Sequence, residues 1–106
     1  MSRKITIGSV GVDSGQLLIT DPCYLEEWGS NEYEETRVKE MKNGSDFSYD
    51  YSGCCARTLS EQVGGNIGRG TLGVALATAW GDGKYDIVAT VDKDGSILKI
   101  EIDFDN

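Results

Sequence analysis

Gly11-Val12-Asp13-Ser14-Gly15-Gln16-Leu17-Leu18-Ile19-Thr20-Asp21-Pro22-Cys23-Tyr24 reads as a turn, a short apolar strand and a proline-locked corner. Asp13-Ser14-Gly15 supplies the turn, and Gln16 to Thr20 has the length and composition of a buried strand. Pro22 removes a backbone donor and pushes Asp21 towards extended geometry, so the strand stops there, with Thr20 and Asp21 delivered beside a thiol and a phenol. Upstream, Ile5, Ile7, Val10 and Val12 supply an apolar face. A strand from about Lys4 to Val12 is therefore expected to pair with Gln16 to Thr20 as an opening hairpin.

Downstream, residues 24–31 carry Leu25, two glutamates and Trp28 before Gly29-Ser30-Asn31, which suits a short helical turn anchored by Trp28. Residues 32–41 are charged and follow neither a helical nor a strand period. Lys42-Asn43-Gly44-Ser45 is a turn, after which Phe47, Tyr49 and Tyr51 alternate with polar residues like a half-buried strand, with Gly53 as a bulge. Residues 56–61 favour no state. A glycine loop, Gly64 to Gly70, precedes the apolar run Leu72 to Trp80, read as a central strand although its alanines also suit a helix. Gly81-Asp82-Gly83 reads as a hairpin-type turn, and Tyr85–Val91 with Ser96–Phe104 form a final hairpin joined at Lys93-Asp94-Gly95. The expected fold is a single all-β domain over 1–106, a compact antiparallel β-sandwich or partly open barrel.

Composition narrows the functional classes. A chain of 106 residues can bury one core without metal or disulfide staples, and 14 glycines suit many tight turns. Eighteen acidic against ten basic residues and no histidine give a net charge of −8, which opposes nucleic-acid polymers and anionic lipid. The N-terminus, Met1-Ser2-Arg3-Lys4, leads into a strand-like alternation rather than a signal core, and no run is long enough to span a membrane; a cytoplasmic protein, of a bacterial cell or an infected host cell, is expected. Three cysteines, two of them adjacent at Cys54-Cys55, suggest reduced thiols, and on a strand those two side chains would point to opposite faces.

The motif from Val12 to Tyr24, with Gly73-Val74-Ala75 leading to Trp80-Gly81-Asp82-Gly83-Lys84-Tyr85, resembles an uncharacterised group of small bacterial and phage proteins. The resemblance touches both halves of the chain. It implies an all-β fold and a prokaryotic or viral origin, and it transfers no catalytic residue.

Four clusters are candidate sites. At the corner, Asp13, Asp21, Cys23 and Tyr24 could bind a polar group, with Asp21 as acceptor or base and Cys23 as nucleophile; without histidine the usual activator of a thiol is missing. The structural reading has Asp21 capping backbone donors and Cys23 buried. In the glycine loop, Gly68 and Gly70 would let backbone amides approach an anion, with Arg69 and Arg57 as cations, but neither a P-loop ending nor a dinucleotide spacing is present. Trp80 and Tyr85 offer a stacking face from the neighbouring turn, with Asp82 between them; Trp28, Tyr49 and Tyr51 are further aromatics suited to a pocket or to core filling. Asp92-Lys93-Asp94-Gly95-Ser96 matches the start of a calcium loop, yet a hairpin turn explains the same letters. The cysteines lack zinc spacing, so neither metal nor cofactor is expected.

These features favour a non-enzymatic protein that binds a small polar ligand, such as a phage-type protein sequestering a nucleotide immune signal. A homo-oligomer is expected, because Pro22 is the one proline available to blunt strand edges. The alternative is an acidic interaction module or decoy that meets a basic host protein through Glu32, Glu34, Glu35 and Glu40.

Overall fold

The two strands expected to form the opening hairpin, Arg3–Val12 (β1) and Gln16–Thr20 (β2), lie in different sheets of the computed structural model, which describes residues 2–44 and 46–105. β1 pairs antiparallel with Gly83–Val91 (β5), and β2 pairs antiparallel with Gly73–Ala77 (β4). Asp13-Ser14-Gly15 is thus a connection between two compact units rather than a hairpin turn. The first unit holds the described residues of 1–15 and 78–106, the second Gln16–Ala77.

In the first unit the order is β1-β5-β6, with β6 spanning Ile97–Ile102. Side chains alternate along a strand. Tyr85, Ile87, Ala89 and Val91 therefore share one face of β5; Val12, Tyr85, Ala89 and Val91 are buried, and Phe104 meets the Tyr85 ring edge-on at 5.1 Å. The final hairpin is as expected. Its turn is held by the Asp92 carboxylate, which accepts from the amides of Asp94 (2.9 Å) and Ser96 (3.0 Å), a self-contained reason for the calcium-like letters. Gly81-Asp82-Gly83 is not a hairpin turn, because β4 and β5 belong to different sheets.

The second unit is a three-stranded antiparallel sheet, β2-β4-β3, with β3 at Gly64–Ile67, packed with two helices, Glu35–Lys42 (α1) and Tyr51–Thr58 (α2). The Leu72–Trp80 run does supply the central strand, though only to Ala77, and the first part of the glycine loop is strand β3. The fold is therefore mostly β, in two small open sheets that do not close into a barrel, with helices that an all-β reading leaves out.

The helices have local causes. Asp50 caps α2, its carboxylate accepting from the Gly53 amide at 2.8 Å, and Ser52, Gly53, Cys54, Cys55 and Ala56 are all buried. Gly53 is no bulge: a Cβ there would overlap the Ser48 carbonyl oxygen, so glycine lets the helix start fold back against the segment before it. Phe47 and Tyr49 are buried with Ser48 between them, but Tyr51 is exposed and opens the helix instead of continuing a strand. In α1, Glu35 in the first turn and Lys39 and Lys42 in the last complement the helix dipole, and Glu35 bridges Lys39 at 3.0 Å. Val38 is its buried residue. The expected short helical turn is a 3₁₀ helix at Pro22–Glu27, after which Trp28 packs edge-on against Tyr49 at 5.0 Å. Ser45, read as part of a turn, and Met1 lie outside the described residues. Among the described residues no helix is long and apolar enough to cross a membrane.

Candidate functional site

The core of the second unit contains Val38, Phe47, Tyr49, Cys54, Cys55, Ala56, Ile67 and Ala75, with Tyr24, Trp28, Met41 and Leu72 packed around it. Beside it opens a cleft of about 710 Å³. Phe47, Tyr49, Met41 and Leu72 supply its apolar wall, and its charged lining is Arg37, Arg69, Glu27, Glu40 and Asp46. The volume is within the usual range for small-ligand sites.

A buried polar network holds this wall in place. Thr20 Oγ1 donates to the Leu72 carbonyl at 2.7 Å and lies 2.7 Å from the Tyr49 hydroxyl, which is left as the donor to it. Asp50, 3% exposed, accepts from Ser48 Oγ at 2.7 Å and pairs with Arg37 Nη1 at 2.8 Å. Burial alone would push its carboxyl up, but hydrogen bonds from Ser48 and the Gly53 amide, with the Arg37 charge, hold it below the ordinary carboxylate range. Arg37 is committed to Asp50. Among the described residues Arg69 makes no ion pair, which makes it the cation of the cleft available to a ligand.

The structure brings part of the glycine-loop site together and leaves part of it elsewhere. Gly68, Arg69 and Gly70 line the cleft. The Gly68 amide is already used, donating to the Phe47 carbonyl at 2.6 Å, and its φ of +78° explains why glycine stands there. Arg57 lines a second cleft of about 660 Å³ with Lys42, Ser60 and Gln62. Its guanidinium sits 4.7 Å from the Phe47 ring centroid and donates to Gln62 Oε1 at 3.2 Å. Both Lys42 and Arg57 occupy helix C-terminal turns, where a cation is favoured and an added anion is not. Arg57 and Arg69 thus do not line one pocket.

Trp80, Asp82 and Tyr85 belong to the first unit. Tyr85 is buried and donates its hydroxyl proton to the Gly81 carbonyl at 2.9 Å, so its ring is core rather than a stacking face. Trp80 is 70% exposed, with Nε1 3.3 Å from Asp105 Oδ1, and Asp82 is exposed. At the corner, Asp21 does cap, accepting from the Cys23 amide at 3.0 Å, but Cys23 is exposed rather than buried. Tyr24 is half-buried against the core.

Cys23 and Cys54 are not poised as nucleophiles. Hydrogen bonding to Asp21 raises Cys23, and burial pushes Cys54 to about 12. All three are free, and Cys54 and Cys55 are both buried, since on a helix neighbours 100° apart can enter one core. Among the described residues no cluster of three Cys, Asp or Glu is placed to hold a metal.

No protein-family model, curated protein or solved structure matches this chain. Sequence reasoning missed Asp50 and Arg37, the pair that organises the cleft wall, and the carboxylates Glu27 and Asp46. An aspartate three residues before Gly53, at the start of an eight-residue segment with buried small side chains, is an N-cap signal that was present.

Proposed function

We propose that the protein binds a small polar molecule in the cleft beside Tyr49, with Arg69 meeting one anionic group and Glu27, Glu40 and Asp46 meeting hydrogen-bond donors or an ammonium group. The observation that supports this is the lining itself: one uncommitted arginine, three carboxylates and an apolar wall share one cleft. Such a set suits a ligand with a single negative charge and amino donors, for example a nucleoside monophosphate, a cyclic mononucleotide or an amino-acid derivative. It disfavours polyphosphates, whose extra charge would face carboxylates without a matching cation. Sequestration of a nucleotide signal stands within this reading as its biological form.

Calorimetry with nucleoside monophosphates, cyclic mono- and dinucleotides and amino acids, on wild type and Arg69→Ala, tests the reading. Loss of one charge-assisted contact should cost about 1.5–3 kcal/mol, or roughly tenfold to more than a hundredfold in affinity. Stability should change by no more than about 0.5 kcal/mol, since Arg69 is exposed. Absence of binding across the panel would overturn the proposal and favour the acidic-surface alternative, in which exposed Glu32, Glu34, Glu35 and Glu40 meet a basic protein.

A further inference from the structure

β6 is an edge strand: one side bonds β5, and among the described residues no strand lies against the other. Exposed backbone donors and acceptors on such an edge are a template for pairing. The opposite edge of the sheet is blunted. β1 opens with Arg3 and Lys4, carries no carboxylate to answer them, and is broken by a bulge between Thr6 and Gly8. β6 carries a bulge of its own, at Leu98 between Ile97 and Lys99, but from Lys99 to Ile102 its pairing is regular and its one lysine is answered by Glu101. Leu98 and Ile100 are 61% and 49% exposed on it.

Its sequence, Ile97-Leu98-Lys99-Ile100-Glu101-Ile102, is complementary to itself when reversed about Ile100. We propose that a second copy of this chain pairs antiparallel along the free edge of β6, with the two-fold axis at Ile100. Ile100 then opposes its counterpart and Lys99 opposes Glu101 twice, while Leu98, at the bulge, lies next to Ile102 of the second copy. The match is made on both faces of the strand. On one, the row Ile5, Ala89, Ile100 continues across the axis into the same three residues of the second copy. On the other, two ion pairs form. Glu101 already meets Lys4 at 3.0 Å and Lys99 of its own chain at 3.6 Å, both through Oε1, which leaves Oε2 for the incoming ammonium.

Other registers are poorer. An axis at Lys99 or at Glu101 places like charges against themselves, and a one-residue slip sets Lys99 against Ile100. The contact is isologous, closes on two copies, and joins two three-stranded sheets into one of six strands.

Charge reversal tests the register. Lys99→Glu alone sets its new carboxylate against Glu101 of the second copy, and Glu101→Lys alone sets its new ammonium against Lys99, so each variant repels its own kind. Mixed in equal amounts, the two variants pair so that one copy brings carboxylates at both positions and the other ammonium groups at both, which restores both cross-strand ion pairs. Sedimentation in the micromolar range should give twice the chain mass for wild type, monomer for each variant, and dimer again for the mixture, with single-variant association weakened about tenfold or more. Ile100→Arg, which sets two cations at the axis and leaves the Lys4–Glu101 pair intact, should also give monomer with an unchanged far-UV spectrum. Monomeric wild type, dimeric single variants or a mixture that stays monomeric would each overturn the proposal.

Discussion

At the scale of single residues, Asp50 does the most for the second unit. It caps α2, accepts from Ser48 and pairs with Arg37, all while buried. Removing one member of a buried pair leaves the other desolvated and unanswered, a cost of about 3–5 kcal/mol. Asp50→Ala should fall near the lower end of that range, because Arg37 is still 33% exposed and can turn to water; chemical denaturation measures it, and a loss under about 1 kcal/mol would refute the role. The cysteines make a separate prediction. Cys23 should alkylate in the native state, and Cys54 and Cys55 only after unfolding, since both are buried and burial also raises the Cys54 thiol. Intact mass under denaturing, non-reducing conditions should show three modified thiols; a single one would mean an internal disulfide.

At the scale of elements, α2 depends on a glycine that looks in the sequence like a strand bulge. Gly53→Ala should improve local helix propensity by about 1 kcal/mol, yet the new methyl group overlaps the Ser48 carbonyl. Overpacking of this kind costs about 1–3 kcal/mol or more, so the net effect should be destabilising. A thermal midpoint equal to or above that of wild type would show that the helix start can move away from residue 48. The same element shows why the helices were hard to read. Tyr51 to Thr58 holds a glycine, two cysteines and two β-branched or hydroxyl residues, none a strong helix former, and α1 has an almost wholly polar surface around Val38. Their helicity comes from a cap, charge placement and the packing of α2 on the sheet and of α1 on α2, which intrinsic propensity does not register.

At the scale of the whole molecule, the ionisable groups define a stability plateau. Asp50 is held below its ordinary value, so its contribution is present above about pH 4, the unfolded value, and is lost as pH falls through the lower folded value. Cys54 works in the opposite sense. Its thiol is raised to about 12, so stability is full below about pH 8.5, where the unfolded thiol titrates, and declines as pH rises towards the folded value. With no histidine in the chain, little should change between those limits. Urea midpoints across pH should therefore be flat in the middle, with Asp50→Asn shallowing the acid limb and Cys54→Ala the alkaline one; unchanged limbs in both variants would remove these assignments.

What the sequence determined by itself is local: the end of β2 at Thr20, before Pro22, the β5–β6 hairpin around Asp94-Gly95, and the central strand from Gly73. Each follows from a proline, a turn dipeptide or an apolar run, signals carried within a few residues. Strand partnership was decided only in three dimensions. Val12 and Gln16 are separated by a three-residue turn, which suits a hairpin, but β1 finds Gly83–Val91 and β2 finds Gly73–Ala77, because pairing depends on the register available along each strand and not on the nearest turn. The separation of Arg57 from Arg69, and the burial of Tyr85, follow from the same tertiary choice. A side chain's chemistry is written in its letter, whereas its neighbours depend on which distant strand or helix covers it.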